Sequence, residues 1–213
     1  MFRNDLALFR LTRPSPGRIS AFVAGQRDAP FSYPDVGATR ADATGADATG
    51  GAPRGYTVDR NRVRVGTGVG AYARAVAALR AWRMASLGWV SVQPPDTPPV
   101  PGATVAVVVR HYGLWSLHAC RVVYTFDEVV EGGAGPVQRF GFAYGTLPAH
   151  AAAGEERFSV EWHRADDSVW YDLYAFSRPR HVVARLGYPL ARRQQRRFGR
   201  DSKAAMAAAV AES

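Results

Sequence analysis

The stretch YGTLPAHAAAGEERFSVEWHRADDSVWYDLYAF, residues 144–176, decides the fold. It contains two runs rich in aromatic and β-branched residues, at 156–164 and 168–176, with a short polar connection between them. Runs of this kind are typical of β-strands, and a connection of this length joins antiparallel neighbours. The stretch therefore predicts a β-hairpin, and the loop that precedes it contains a histidine and two adjacent carboxylates.

The rest of the chain on both sides of this hairpin also shows strand and helix patterns. Six strands are predicted from residue 87 onward, near residues 87–93, 103–111, 115–126, 138–146, 156–164 and 168–176. A short strand is predicted at residues 6–11, and the alternation of Val63 and Val65 with charged residues admits another. Capping residues and apolar spacing predict helices at about residues 16–28, 69–86 and 181–211.

This order of elements predicts an α+β fold, with an antiparallel curved sheet of about six or seven strands packed on a long C-terminal helix. We expect the helices to lie on one face of the sheet. A strand, two helices, six strands and a long last helix is also the order of the helix-grip fold. In that fold a curved sheet wraps the last helix and leaves a ligand cavity between them, so the sequence predicts a helix-grip-like arrangement.

The composition is that of a globular domain. The chain has 213 residues, of which 47% are hydrophobic, and this is enough to fill a core. Residues 41–53, ADATGADATGGAP, contain a five-residue duplication without bulky side chains, which predicts a low-complexity insertion in a loop. We therefore predict a single α+β domain over residues 1–213.

The sequence also bears on the location of the protein. No window reaches the roughly 18 uninterrupted apolar residues of a membrane span. The N-terminal apolar run is interrupted by charges, unlike a secretory signal. Cys120 is the only cysteine, so no intramolecular disulfide can form. These features predict a cytoplasmic protein, as a monomer or a homodimer.

The positive charge is concentrated near the C-terminus. The formal net charge is +9, and residues 178–203 contain nine basic residues and one acidic residue. On the predicted last helix the basic residues occupy the faces opposite an apolar stripe, which favours a solvated outer surface. Weak binding of polyanions is the alternative. No motif for specific nucleic-acid recognition is present.

Longer stretches resemble a known family. They are FSYPDVGATR (31–40), VRVGTGVGAYARAVAALRAWRM (63–84), LGWVSV (87–92), RHYGLWSLHACRVVY (110–124), RFGFAYGTLPAHAAAGEERFSVEW (139–162) and SVWYDLYAFSRPRHVVARLGYPLARRQQRRF (168–198). Together they resemble the bacterial and plant family called domain of unknown function 1990, over about residues 6–210. The resemblance implies one compact domain. It implies no substrate and no catalytic residue.

Metal and nucleotide chemistry are not favoured. The glycine-rich stretch 66–70 is followed by no Gly-Lys-Ser/Thr, so it fits a helix N-terminus better than a phosphate loop. Cys120 lies in the middle of a predicted strand and is interpreted as a small buried residue. No metal-ligand spacing relates the five histidines, His111, His118, His150, His163 and His181. We therefore expect no metal and no cofactor.

The strand alternation of the opening stretch separates its two carboxylates. Glu156 shares a face with Phe158, Val160 and Trp162, and this face is predicted to point inwards. Glu155 is instead assigned to the exposed base of the loop. An inward carboxylate needs a partner, since burying a lone charge is costly. The predicted partners of Glu156 or Asp172 are Arg121 and Arg178, in a network that would either fix strand register or form one end of a ligand site.

Two functions are predicted for the cavity. The first is the binding of a small apolar or aromatic molecule between the sheet and the last helix. Its predicted ligand contacts are Phe142, Trp162, Trp170, Tyr174, Arg121 and Arg178. The alternative is a cofactor-independent enzyme of the isomerase, cyclase or hydrolase type, which would use an acid–base group in the cavity. Its predicted catalytic residues are Glu156, His150 and Tyr144.

Overall fold

The computed structural model describes residues 9–40, 53–180 and 188–211. Its helices are α1 (Pro16–Ala24), α2 (Gly68–Arg80) and α3 (Tyr188–Ala211), with a 3₁₀ turn at Arg83–Ala85. Its strands are β1 (Phe9–Arg10), β2 (Thr57–Thr67), β3 (Val90–Gln93), β4 (Thr104–His111), β5 (Leu114–Gly132), β6 (Gly135–Thr146), β7 (Ala152–His163) and β8 (Ser168–Pro179). Half of the predicted strand at 6–11, nearly all of the insertion at 41–53 and the start of the predicted last helix at 181–187 lie outside the described residues.

The strands form one antiparallel sheet in the order β2-β8-β7-β6-β5-β4-β3, and the two-residue β1 pairs with β5. From β3 to β8 each strand pairs with the next one in the chain, so successive hairpins build most of the sheet. Bulges in β2 and β5 bend these strands. Helix α3 packs against the inner face of the curved sheet. The prediction of an α+β, helix-grip-like fold is confirmed.

The inner face of the sheet changes from apolar to polar between neighbouring cross-strand rows. One row consists of the apolar side chains Phe142, Phe158 and Leu173 and ends at Asn61 on the edge strand β2. The next row consists of Tyr144, Glu156, Ala175 and Asp59. Since strand alternation sends every second residue inward, this change is fixed by the sequences of the strands themselves. The closed core lies over the apolar rows.

The two halves of α3 contact the sheet differently. In the C-terminal half, Met206 and Val210 are buried, and Ser202 lies 2.7 Å from the hydroxyl oxygen of Tyr171. In the N-terminal half, Arg192 forms an ion pair with Asp59 of β2. Leu190 was predicted on the packing stripe, yet 51% of its surface is exposed. The N-terminal half is therefore held at the edge of the sheet by polar contacts and leaves space beneath it.

Helix α1 packs on the outer face of the sheet, so the prediction that all helices lie on one face is wrong. Ile19 and Val23 of α1 contact Ala106 and Val108 of β4, as well as Leu117 of β5. The alternate residues of β4 face the main core instead. Because the β4 sequence TVAVVV is apolar on both faces, each face needs a covering layer.

Helix α2 ends earlier than its apolar spacing predicts. It stops at Arg80, before the predicted end at residue 86, because Trp82 adopts a left-handed backbone conformation with φ 55°. This turn directs the indole ring into the core, where its centroid lies 4.8 Å from that of Phe142. Its Nε1–H donates to the carbonyl oxygen of Thr97 at 2.7 Å. Burial of the largest core side chain therefore decides where the helix ends.

Candidate functional site

A pocket of about 770 Å³ lies between the N-terminal half of α3 and the inner face of the sheet. The sheet contributes small residues here, including Ala152, Gly154 and Ala175, so no large side chain fills the space below the helix. The apolar part of the wall is formed mainly by Val90, Val107, Val109, Leu114, Leu173, Leu190 and Phe198. The pocket is thus an extension of the core in which small residues replace large ones.

A carboxyl–phenol pair forms one polar end of the pocket. Glu156 and Tyr144 are register partners on β7 and β6, and the Tyr144 hydroxyl donates to Glu156 Oε2 at 2.7 Å. Burial raises the pKa of Glu156 from 4.5 to about 7, against the lowering effect of this hydrogen bond, and the charge of Asp59 raises it further. Burial, together with the Glu156 charge, raises the pKa of Tyr144 well above its ordinary value. The phenol therefore keeps its proton, and the carboxyl group exchanges its own near neutral pH.

The predicted arginine partners of Glu156 lie elsewhere. Arg121 is on the outer face of β5, where its guanidinium donates to the carbonyl oxygens of Gln26 and Arg27. Arg178 is exposed at the end of β8 and lines the pocket mouth, with its guanidinium 4.6 Å from the Tyr56 ring centroid. The prediction that arginine balances Glu156 is therefore wrong. A neutral hydroxyl does so instead, which is possible because the carboxyl group is itself easily protonated.

Glu155 is buried, so its predicted place at the exposed base of a loop is wrong. Only 2% of its surface is exposed. Its carboxylate accepts hydrogen bonds from the Tyr33 hydroxyl at 2.6 Å and from the backbone N–H groups of Gly37 and Thr39 at 2.7 and 3.0 Å. The Thr39 hydroxyl donates a further hydrogen bond. Glu155 is a strand residue because β7 already begins at Ala152. The loop at residues 33–39, which is distant in the sequence, covers its side chain.

The aromatic residues predicted as ligand contacts do not line the pocket. Phe142 is fully buried in the closed core, and Trp162 packs beside Tyr72 of α2, with ring centroids 6.1 Å apart. Trp170 and Tyr174 lie on the outer face of β8, below arginine guanidinium groups at 5.0 and 4.5 Å. Both faces of β8 are apolar, so alternation alone could not tell which row points inwards. The aromatic residues that line the pocket are instead Phe9, Trp89, Tyr112, Tyr144, Phe176 and Phe198.

Histidines form the other polar end of the pocket. His111, His118 and His150 line it, although their sequence spacing gave no sign of this. His118 Nε2 lies 2.8 Å from the Ser116 hydroxyl oxygen, and the ring centroids of His118 and His150 are 4.8 Å apart. The one available signal was strand alternation, which places Ser116 and His118 on the same face of β5 as Cys120 and Val122.

The predicted catalytic residues therefore divide between the two ends. Glu156 and Tyr144 are hydrogen-bonded to each other, whereas His150 contacts His118. Within the described ranges, no group of His, Cys, Asp or Glu side chains is arranged to hold a metal ion. Among the helices that the structure describes, none has the length and apolar character needed to cross a membrane.

The chain belongs to the family described as domain of unknown function (DUF1990), whose model matches residues 32–205. It is 38% identical over 205 residues to a UPF0548 protein of Deinococcus radiodurans, covering 91% of this chain and 94% of that protein. It is 34% identical over 211 residues to a UPF0548 protein of Dictyostelium discoideum, covering 95% and 96%. Among solved structures, Ara h 8.0201 is similar at a TM-score of 0.45 and 8% identity, covering 75% of this chain and 100% of that chain. The resemblance seen in the sequence is confirmed.

Proposed function

We propose that the protein binds a small, largely apolar molecule in the pocket between the sheet and α3. The observation that carries the proposal is the Glu156–Tyr144 pair at one end of an otherwise mostly apolar wall. A volume of about 770 Å³ suits a small ligand, and such sites combine apolar walls with a few convergent polar groups.

The polar pair favours a neutral hydrogen-bonding group on the ligand. A carboxyl group with a pKa of about 7 can donate or accept a hydrogen bond at neutral pH, and Tyr144 holds one of its oxygens in place. A ligand carboxylate at this position would face Glu156, and two carboxylates side by side repel each other unless one is protonated. A hydroxyl, carbonyl or phenol therefore fits this end best.

Titration of the full chain with octan-1-ol and 2-naphthol tests the proposal. The decisive variant is Ala191→Trp, because Ala191 is exposed on α3 and lines the pocket, so a large side chain there fills the space without disturbing the core. Ala208→Trp is its control, on an exposed part of the same helix outside the pocket wall. We expect affinity to fall at least roughly tenfold in Ala191→Trp only. Equal affinities in both variants would place any binding elsewhere.

The second candidate is the cofactor-independent enzyme, and the raised pKa of Glu156 beside Tyr144 favours it. A general base is most effective when its pKa lies near the working pH. The capacity can be tested with 5-nitro-1,2-benzisoxazole: the base takes the ring C–H proton, the N–O bond breaks, and a coloured phenolate nitrile forms. We expect a rate that rises with pH through about 7 and is lost in Glu156→Gln. A rate unchanged in that variant rules out Glu156 as the base.

The two candidates are separated by comparing binding with turnover. Glu156→Gln keeps a hydrogen-bonding group but cannot exchange a proton, so it retains octan-1-ol in both cases. If the compound that the protein holds in its cells is recovered unchanged after incubation, the protein is a binding domain. Conversion of that compound by the wild type, but not by Glu156→Gln, makes it an enzyme.

We infer only weak polyanion binding by the outer face of α3. Arg193 and Arg196 are exposed there, while Arg197 and Arg200 share Asp201 as an ion-pair partner. Such a surface attracts polyanions non-specifically, and the attraction falls steeply with salt. Retention on heparin that survives high salt would contradict this inference. A cytoplasmic location and a monomeric or homodimeric state stay predictions from the sequence.

A further inference from the structure

His118 lies far from Glu156 within the same pocket. It is on β5 opposite Val107 of β4, whereas Glu156 on β7 is opposite Tyr144 of β6. From the rise along a strand and the spacing between strands, the Cα atoms of His118 and Glu156 are roughly 15 Å apart. Thr146 of β6 and Gly154 of β7 lie between them, and valine side chains of β3 and β4 continue the wall beyond His118. The pocket is therefore elongated, with a polar group at each end.

One ring nitrogen of His118 has no hydrogen-bond partner among the described residues. The side chain is buried, with 8% of its surface exposed, and Nε2 is occupied by the Ser116 hydroxyl at 2.8 Å. Nδ1 is buried and contacts neither donor nor acceptor. A buried polar atom left unpaired costs about 1–3 kcal/mol, so such atoms are nearly always satisfied by protein, water or ligand. Because His118 lines the pocket, a polar group bound there is the candidate partner of Nδ1.

The His150 ring lies beside His118, with the two ring centroids 4.8 Å apart. Its Nδ1 lies 2.9 Å from the backbone nitrogen of Ala152 and 3.1 Å from the carbonyl oxygen of the same residue, so His150 can hold its proton on either ring nitrogen. Burial lowers the pKa of His150 to about 4 and that of His118 well below its ordinary value. Both rings are therefore neutral at pH 7. Neither ring offers an anion a charge of its own, and the burial that keeps both rings neutral also disfavours a buried carboxylate or phosphate. The Arg180 guanidinium is near enough to lower the pKa of His150, but it donates to the carbonyl oxygen of Pro148.

Ser116 decides which role His118 Nδ1 takes. The Ser116 oxygen lies 2.8 Å from His118 Nε2 and 3.3 Å from His111 Nε2, and its single proton can serve only one of them. If Ser116 donates to His118, Nδ1 is a donor; if it accepts, Nδ1 is an acceptor. A hydroxyl group can both donate and accept, so it pairs with Nδ1 in either state.

We propose that His118 and His150 bind a hydroxyl group at one end of an elongated apolar ligand, whose other end reaches Glu156 and Tyr144. The ligand class is thus an apolar molecule with neutral polar groups at both ends. The proposal rests on the proposed function, since it names a second polar group on the same ligand. The pocket should prefer a ligand with a polar group at the histidine end, because an apolar ligand end would leave His118 Nδ1 unpaired.

A matched pair of ligands tests the inference on the full chain. Octan-1-ol can use one polar end, and octane-1,8-diol can use both. We compare the ratio of the diol Kd to the mono-ol Kd in the wild type, His118→Leu and His163→Leu. His163 is the control histidine, because it lies outside the pocket wall, next to Arg62 and Glu161. We expect His118→Leu to raise the ratio at least roughly fivefold, since the second hydroxyl loses its partner. His163→Leu should leave the ratio unchanged.

The wild type gives an independent readout if His118→Leu does not fold. With ¹⁵N-labelled histidine, the diol should shift the Nδ1 resonance of His118 more than the mono-ol does. If octan-1-ol binds but the ratio and the resonance respond equally to both compounds, the two-ended inference is overturned and the proposed function stands. If neither compound binds, both are overturned.

Discussion

Glu155 and Glu156 are adjacent in the sequence, yet their carboxylates lie on opposite faces of the sheet and meet different kinds of partner. Glu155 accepts hydrogen bonds from the loop at residues 33–39, and Glu156 accepts one from Tyr144 in the pocket. The first carboxylate therefore has a structural role, since it ties a remote loop to β7. The second is available to chemistry, since Glu156 lines the pocket.

Glu155→Gln should destabilise the protein by roughly 2–4 kcal/mol, because the amide can no longer accept from all four donors and its own N–H₂ meets a donor. The measurement is the free energy of unfolding in urea. Asp127→Asn is the matched control: Asp127 forms an exposed pair with Arg80 at 3.8 Å, and such pairs contribute little. If both variants lost a similar amount of unfolding free energy, the buried hydrogen bonds of Glu155 would contribute no more than an exposed ion pair.

Glu156 should make the protein less stable as pH rises through neutrality. Its folded-state pKa of about 7 lies above the ordinary 4.5, so the folded protein holds this proton more tightly than the unfolded chain. Its contribution is therefore complete below about pH 4.5 and is lost as pH rises through about 7. The free energy of unfolding of Glu156→Gln, taken relative to that of the wild type, should therefore rise by roughly 2–3 kcal/mol between pH 5 and pH 8. If the difference in unfolding free energy between Glu156→Gln and the wild type, measured in urea, did not change with pH, the raised pKa of Glu156 would be contradicted.

Tyr144→Phe should raise the pKa of Glu156 further. The hydroxyl donates to the carboxylate and so favours the charged form, and its loss removes that stabilisation. The measurement is the pH titration of the Glu156 carboxyl carbon by NMR in wild type and variant. A downward shift of the titration midpoint would show that the phenol does not donate to Glu156 in solution.

Gly154→Ala should be strongly destabilising, by roughly 3 kcal/mol or more. A Cβ at this position would overlap the carbonyl oxygen of Phe176 on the neighbouring strand, and backbone cannot move aside cheaply. Gly133→Ala is the control, because a Cβ there meets nothing within 4 Å. Thermal unfolding of both variants measures the difference. Equal melting temperatures would mean that β7 and β8 are not so close at Gly154.

Cys120 should not react with thiol reagents in the folded protein. It is fully buried, and burial, with the nearby Glu156 charge, raises the pKa of its thiol. Labelling with a chromogenic disulfide at pH 8 should proceed rapidly in denaturing urea and be slower by roughly a thousandfold or more without it. Fast labelling under native conditions would indicate that the sheet opens around β5.

The element order was readable from sequence because alternation and turn residues act locally. The inner and outer faces were harder, since both faces of β4 and β8 are apolar and only packing shows what covers each. The burial of Glu155 depends on Tyr33 and Thr39, which are more than 100 residues away in the chain. His118 and His150 meet only because β5 and the β6–β7 loop become neighbours. Sequence patterns thus pointed to Glu156, Tyr144 and His150 but not to His118 beside His150.

The two halves of helix α3 have different structural roles. Its C-terminal half fills the core through Met206 and Val210, and its N-terminal half roofs the pocket through Leu190 and Gln194. If the pocket binds a ligand as proposed, substitutions in the N-terminal half would alter ligand choice with little loss of stability, and substitutions in the C-terminal half would do the reverse. Ligand selectivity and folding stability would then be able to change independently along a single helix.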